Sequence, residues 1–423
     1  MDPNPTSHVS TSRLRALPRN VWAVTITSFL TDVSSEMLFT LVPLFLSNVL
    51  GARTGVIGLV EGVAETTSSL VKLGSGWLSD RLGSRKWPAV AGYALSAVSK
   101  PILLLARSWG WVLAARFGDR VGKGVRTSPR DALLADSVAP EVRGLAFGVH
   151  RAGDTAGAVV GLAVALGVVW ATQGRARTLA GPTFLLLVAL SLIPAALGVI
   201  ALALGALDVV PHAHPKGASS RRFDRRFRAF LAVVVVFTLG NSSDAFLILR
   251  AQEAGLPVLG VLGMMLTFNL VYTAVAGPAG ALSDRIGRRR LIVAGWLVYA
   301  VIYLGFAFVA AGWQAWVLMT IYGVYYALTD GVAKAFVANL VPAARRGTAY
   351  GAFNAAIGLA ALPSSVLAGV LWQGVGPWHG FGPAAPFLFG ASMALLASVL
   401  LSTIVPDPRP EHPAATPSES RAA

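Results

Sequence analysis

The sequence predicts an all-α polytopic membrane protein of twelve transmembrane helices, arranged as two six-helix bundles about a pseudo-two-fold axis along the membrane normal. Three observations predict it. Hydrophobic residues make up 55% of the 423-residue chain and charged residues only 13%, about half the charged share of a soluble domain, so lipid is the main solvent. Twelve stretches are long and apolar enough to cross roughly 30 Å of hydrocarbon, which takes about 20 residues as a helix. The second half of the chain also repeats the first.

The first six predicted spans cover residues 20–48, 55–79, 87–107, 110–135, 142–171 and 181–207. The second six cover 228–253, 257–283, 290–311, 313–340, 346–372 and 384–405. Residues 1–19 read as a cytoplasmic N-terminal segment, 208–227 as a polar interdomain linker, and 406–423 as a disordered tail rich in Pro, Ala and Ser. The amino-terminal stretch, with Arg13, Arg15 and Arg19, leads into a span too long and too charged for a signal h-region.

Lys and Arg fix the expected orientation. They crowd the loops that share a side with both termini: Arg81, Arg85 and Lys86 after span 2, Arg285, Arg288, Arg289 and Arg290 after span 8, and the linker. The opposite loops hold few, among them Arg53, Arg107, Arg175 and Arg177. Both termini are therefore expected in the cytoplasm, with the protein in the plasma (inner) membrane. The net charge of +15 sits in these short clusters and forms no basic stripe on a soluble domain, which argues against a nucleic-acid partner. Zero cysteines remove disulfides, thiol nucleophiles and thiolate metal sites.

Three paired segments carry the repeat. "FLTDVSSE" (Phe29–Glu36) matches "FTLGNSSD" (Phe237–Asp244) at an offset of 208 residues; "GWLSDRLGSRK" (Gly76–Lys86) matches "GALSDRIGRRR" (Gly280–Arg290) at 204; "RGLAFGVHRAG" (Arg143–Gly153) matches "RGTAYGAFNAA" (Arg346–Ala356) at 203. Order and offset argue for duplication of a six-helix unit. An even number of spans inserts both copies the same way up.

With these residues the chain resembles the major facilitator superfamily over nearly its whole length. The family's loop between helices 2 and 3 has Gly, three residues, Asp, Arg, one residue, Gly, then basic residues. Gly76, Asp80, Arg81, Gly83, Arg85 and Lys86 fit it, with Ser84 where a base is more usual; Gly280, Asp284, Arg285, Gly287, Arg288 and Arg289 fit without departure. The resemblance implies that these loops latch the bundles together on the cytoplasmic side in one state of a transport cycle. Positive-inside topology alone would explain the bases but not the repeated Gly and Asp. "RVGKG" (Arg120–Gly124) resembles the helix-4 motif whose arginine serves proton-coupled members, with Lys123 and Arg126 departing from it. "GDTAGAVVG" (Gly153–Gly161) partly resembles a helix-5 antiporter motif, with Ala158 in place of its proline; a small-residue packing face explains those glycines equally well.

Ionisable residues at membrane depth cost about 2.5–3.5 kcal/mol each on insertion scales, so they mark pathways or pairs. Span 1 carries Asp32 and Glu36; span 2 Glu61, Glu65 and Lys72; span 4 Arg116, Asp119, Arg120, Lys123 and Arg126; span 5 Arg151 and Asp154; span 7 Asp244; span 10 Asp330 and Lys334; span 3 only Lys100. In the family fold spans 1, 4, 7 and 10 line a central cavity. Asp32 and Glu36 share a helical face, as do Glu61 and Glu65. Asp32 falls about 18 Å along span 1 at 1.5 Å per residue, near the midplane. Two readings stand side by side: these acids couple transport to protons, or they neutralise the basic face of span 4. Tyr322, Tyr326 and Asp330 share one stripe of span 10, as substrate contacts or as packing, and Asp330 and Lys334 are placed to pair.

The expected function is secondary active transport of a small solute by alternating access, coupled to protons, with efflux by antiport of a drug or metabolite favoured. Uptake of an organic anion by proton symport, or a transport-inactive receptor on the same fold, are the alternatives. Lipid, a small-molecule substrate and protons are the expected partners of a monomer. No cofactor, metal or catalytic constellation is expected: "GKGVRTS" (Gly122–Ser128) lacks phosphate-loop spacing, His212 and His214 have no further ligands, and no serine is placed beside His150 and Asp154.

Overall fold

The computed structural model describes residues 17–139, 142–209, 223–341 and 346–405. The helices are α1 (Arg19–Val49), α2 (Thr54–Leu82), α3 (Lys86–Leu105), α4 (Trp109–Asp136), α5 (Arg143–Gln173), α6 (Gly181–Gly205), α7 (Arg225–Glu253), α8 (Val258–Ile286), α9 (Arg288–Ala307), α10 (Gly312–Leu340), α11 (Arg346–Gln373) and α12 (Ala385–Ile404). Nine of these are apolar enough to cross a membrane by length and composition. The other three are α2, α4 and α10. Charged and polar residues dilute α2 and α4, and Trp, Tyr and Gln dilute α10.

Helix packing repeats between the halves. In the first, α1 packs on α5 and α6, α2 on α4, and α3 on α4 and α6; in the second, α7 packs on α11 and α12, α8 on α10, and α9 on α10 and α12. The bundles meet along two seams, α2 with α11 and α5 with α8. These seams are each other's equivalents under the duplication. The most buried apolar window belongs to α1, 67%, so α1 is central, whereas α6 and α12 pack mainly on helices of their own bundle, α1 and α3, and α7 and α9. α9, at 56%, is more enclosed than a peripheral helix. Its Trp296, Tyr299, Tyr303 and Phe306 are buried, stacking on Phe237, Tyr325 and Phe387.

The halves are joined closely at the end remote from the termini. There Arg53 donates to the Gln373 carbonyl (3.0 Å), the Thr54 N–H to the Gln373 side chain (2.8 Å) and the Thr54 hydroxyl to the Gly369 carbonyl (3.0 Å). On the second seam Gln252 donates to the Arg177 carbonyl (2.8 Å) and the Val258 N–H to the Ala176 carbonyl (3.4 Å). Toward the basic end a cleft of about 570 Å³ opens between α5, α8 and α10, lined by Arg151, Tyr272, Arg288, Asp330 and Lys334.

Three helices are irregular where the periodicity predicted continuity. α1 is α-helical to Phe39, resumes at Val42 and ends in a π-turn, Phe45–Val49. α3 tightens to 3-10 geometry from Lys100, next to Pro101. α7 breaks at Asn241–Asp244 between Arg225–Gly240 and Ala245–Glu253. The break survives because outside partners take the freed backbone groups. Tyr299 donates to the Gly240 carbonyl (3.0 Å) and the Ser243 N–H reaches Ser365 (3.3 Å), while within the break the Ala245 N–H reaches the Ser243 hydroxyl (3.3 Å).

Candidate functional site

Between the bundles lies a cavity of about 350 Å³. The first half supplies Glu36, Phe39, Glu61, Glu65, Arg116 and Arg120 to its wall, and the second supplies the broken turn Asn241–Asp244 with Met265, Tyr326 and Ser365. Five of the acids and bases anticipated from the sequence thus converge here, together with Asp244 from the other bundle.

The first-half wall sets acids against bases, although Arg116 Nε and Nη1, Arg120 Nε and Glu61 Oε1 are buried without a hydrogen-bond partner among the described residues. Arg116 on α4 is 3% exposed and donates a short charge-assisted hydrogen bond to Glu61 on α2. Its guanidinium also lies 4.5 Å over the Phe39 ring, and that of Arg120 5.6 Å over the same ring. Arg120 sits 3.9 Å from Asp119. Asp119 itself is buried (3%) and lies outside the cavity lining. Thr40 donates to Glu36 (3.4 Å). The other anticipated residues lie off the cavity wall. Asp32 faces α5, close to Gly157, among Asp154, Arg126, Glu36 and Lys123. Asp154 stands 3.6 Å from His150 on its own helix, and half-buried Lys123, three residues beyond Arg120 on α4, is not part of the lining. Lys100, 1% exposed, donates to the Ser34 and Ser35 hydroxyls of α1.

The second-half wall is organised by the α7 break. Asp244 accepts from Tyr322 (2.9 Å) and Tyr326 (3.4 Å) of α10. The expected stripe Tyr322–Tyr326–Asp330 therefore divides: the tyrosines turn to Asp244, while Asp330 lies in the lower cleft. There Lys334 pairs with Asp330 (2.9 Å), as its spacing suggested, and Tyr272 donates to it (3.3 Å). Arg151 of the first half donates to Tyr272 (2.9 Å), a polar bridge between the bundles. Sequence reasoning singled out Asn241 as a polar handle of span 7 but missed Phe39, the break that brings Ser242 and Ser243 into the wall, and Ser365. The run Asn-Ser-Ser-Asp was the available signal, since such side chains compete for backbone hydrogen bonds.

The repeated hinges occupy equivalent corners. Gly83 (φ 64°) and Gly287 (φ 93°) take the left-handed region that terminates α2 and α8. The side chains of Gly76, Asp80, Gly280 and Asp284 lie outside the described residues. Arg81 and Arg285 are exposed there. Arg85 reaches Asp136 at the end of α4 (3.3 Å) and Ser79 (3.2 Å), and Arg288 reaches Ala335 O (2.8 Å) and Asn339 (2.6 Å) of α10. These contacts stay within each bundle. Ser84, the departure from the family pattern, donates to Asp208 and accepts from the Trp87 N–H.

Asp208 anchors this corner. Partial burial raises its carboxyl, but the Ser84 hydroxyl and the backbone N–H groups of Lys86, Arg85 and Val209 outweigh that and hold its pKa below the ordinary 3.8. A depressed carboxylate gives its stabilisation fully above the unfolded value and loses it as pH falls through the lower folded value. At neutral pH, Asp208→Ala is therefore expected to speed hydrogen exchange at the Arg85 and Lys86 amides, whereas the wild-type corner loosens only below about pH 4. Unchanged exchange in the variant would remove this anchoring role.

A twelve-helix duplicated bundle with a polar cavity at its centre defines the class: a membrane transporter. The model of the Major Facilitator Superfamily matches residues 24–265 and 229–423, and the chain belongs to that family. It is similar to an uncharacterised MFS-type transporter of Methanocaldococcus jannaschii, 33% identical over 405 residues, 92% of this chain and 95% of the relative. Among solved structures it is similar in fold to a mutant of the nucleoside transporter NupG, with a TM-score of 0.73 at 13% identity over 90% of this chain and 99% of that one. It is likewise similar to the POT family transporter PepTSo, with a TM-score of 0.74 at 11% identity over 91% of this chain and 97% of that one.

Proposed function

We propose that this transporter is a secondary active antiporter that exports a small solute in exchange for protons, from a plasma (inner) membrane in which both termini are cytoplasmic. One observation carries the reading: carboxylates from both bundles, Glu36, Glu61, Glu65 and Asp244, face one cavity next to bonds that seal its far end. In this reading the basic end is cytoplasmic, the arrangement is the inward-directed state, and rocking of the bundles about the cavity carries the site outward. The hinge loops, where Arg85 bonds to Asp136 and Arg288 to Asn339 within one bundle each, would latch the halves in the opposite state.

The cavity acids divide by their surroundings. Glu61 is committed to Arg116, so Glu36, Glu65 and Asp244 are assigned the exchangeable protons. The test begins with a thermal-shift screen of metabolites and drugs on purified protein. Flux of the hits is then measured in proteoliposomes with and without a pH gradient. Glu36→Gln and Glu65→Gln are expected to lower gradient-driven flux at least about tenfold while ligand binding persists, the pattern of a lost proton-transfer group. Full gradient-driven flux in both variants would end the proton assignment.

A further inference from the structure

The two walls of the cavity differ in the charge they leave unbalanced. On the first-half wall Arg116 Nε and Nη1, Arg120 Nε and Glu61 Oε1 meet no hydrogen-bond partner among the described residues, but acids and bases face one another there and the Phe39 ring carries both guanidiniums. On the second-half wall Asp244 is paired with no base among the described residues; only the Tyr322 and Tyr326 hydroxyls reach it. Beside it Ser242 lines the cavity, and its hydroxyl is buried on the Tyr303 side. Tyr326 lines the same wall with Met265 and Ile248, and Phe268 and Tyr322 back its ring at 5.4 and 5.1 Å between centroids.

Charge balance agrees. The lining holds four carboxylates, Glu36, Glu61, Glu65 and Asp244, and two guanidiniums, Arg116 and Arg120. Lys123 also acts on Glu36 and Glu65, and Lys72 on Glu65, whereas the charged groups that act on Asp244 are the acids Glu65 and Glu61, so Asp244 is the carboxylate left without a cation. A buried acid is costly without a mate, and a cation beside an aromatic face gains further attraction once desolvated.

We propose that the broken turn of α7 is the recognition site for a protonated amine carrying an apolar or aromatic group. Its N–H donors fall to Asp244, and its apolar part lies against Tyr326, Met265 and Ile248. A fully substituted ammonium lacks the N–H groups that the carboxylate accepts, and a carboxylate substrate meets like charge on this wall. This inference rests on the transport reading for its physiological meaning, but the site itself is tested by binding.

The probes are 2-phenylethylamine, its N-trimethyl analogue and 3-phenylpropanoate, titrated calorimetrically against the intact purified chain. Binding of the amine is expected, tighter than either analogue. Loss of a hydrogen bond to a charged group predicts weakening by at least about tenfold in Asp244→Asn. Met265→Ala, which trims the apolar wall without touching a polar group, is expected to weaken the amine and its N-trimethyl analogue alike by about three- to tenfold at about 0.8 kcal/mol per buried methylene, with an unchanged thermal midpoint as the check on folding. No amine binding up to about 10 mM, beyond the weak millimolar range, overturns the proposal. So does preferential binding of the carboxylate, or amine binding indifferent to both substitutions. Proton-driven flux of an anion would leave the transport reading standing while this site fell; amine binding without proton-driven flux would do the reverse.

Discussion

Gly58→Ala is expected to abolish transport while each bundle stays folded. Gly58 lies on α2 at the sealed end, where a Cβ would stand 2.1 Å from the Ser365 carbonyl oxygen, 2.8 Å from its carbon and 3.2 Å from the Phe246 ring. Two of those three obstacles are backbone of α11, which cannot rotate aside as a side chain can. Overpacking of this kind costs about 1–3 kcal/mol, and the bundles escape it by separating along the α2–α11 seam. Such a cost lowers the population of the sealed state by about 5- to 150-fold, at 1.4 kcal/mol per decade. The chain has no cysteine, so a single Ala361→Cys in the cavity wall reports access directly. A membrane-impermeant maleimide added on the side remote from the termini should label it faster in the Gly58→Ala background. Equal labelling with normal flux would mean that the seam yields without opening.

This sensitive position was not legible in the sequence. Its neighbourhood reads as small residues within an apolar span, a pattern shared by ordinary helix packing, and only the path of α11 over α2 distinguishes the two. What was legible is what single-helix physics dictates. Span length, the Lys/Arg asymmetry and the offset repeats announced twelve helices in two like-oriented bundles, and the same pairwise packing recurs in both. The irregular segments escaped because hydropathy averages over them. The Ser-Ser pair of each repeat makes the point. In α1 the Ser34 hydroxyl donates to the Ser191 carbonyl (2.7 Å) and receives Lys100, and the helix runs on. In α7 the matching serines sit in a break held open by Tyr299 and Ser365. Equivalent residues adopt different backbones because their neighbours on other helices differ, and those neighbours lie far away in the chain.

The candidate site was half visible for a related reason. Cost of burial singles out every ionisable residue, so Glu36, Glu61, Glu65, Arg116, Arg120 and Asp244 stood out at once. Which of them face the cavity depends on helix rotation, and helical spacing alone fixes relative faces but not the direction in which a face points. Asp32 and Glu36 share a face and both lie on the α1–α5 contact, near Gly157 and Gly161, yet only Glu36, one turn further along α1, reaches the cavity. On α4, Arg116 and Arg120 line the cavity while Asp119 and Lys123 lie off it.

The same distinction separates structural acids from working ones at Arg116 and Glu61. Both helices belong to one bundle, so their ion pair travels with that bundle and need not break during a cycle. Arg116 is 3% exposed, and its removal leaves the Glu61 carboxylate, whose side chain is 11% exposed, without its mate. Breaking a buried pair from one side costs about 3–5 kcal/mol, whereas replacing both partners by apolar groups of similar size is often neutral. Arg116→Met alone and Glu61→Leu alone are therefore each expected to lower the thermal midpoint in detergent by several degrees, and the double variant to recover most of the loss. Arg116→Met should suffer further because the Phe39 ring loses the guanidinium stacked 4.5 Å above it. A double variant as unstable as the sum of the singles would show that each charge acts independently. Recovery of stability with flux still proton-driven would place Glu61 among the structural groups, leaving proton exchange to the carboxylates that face the cavity without so close a partner.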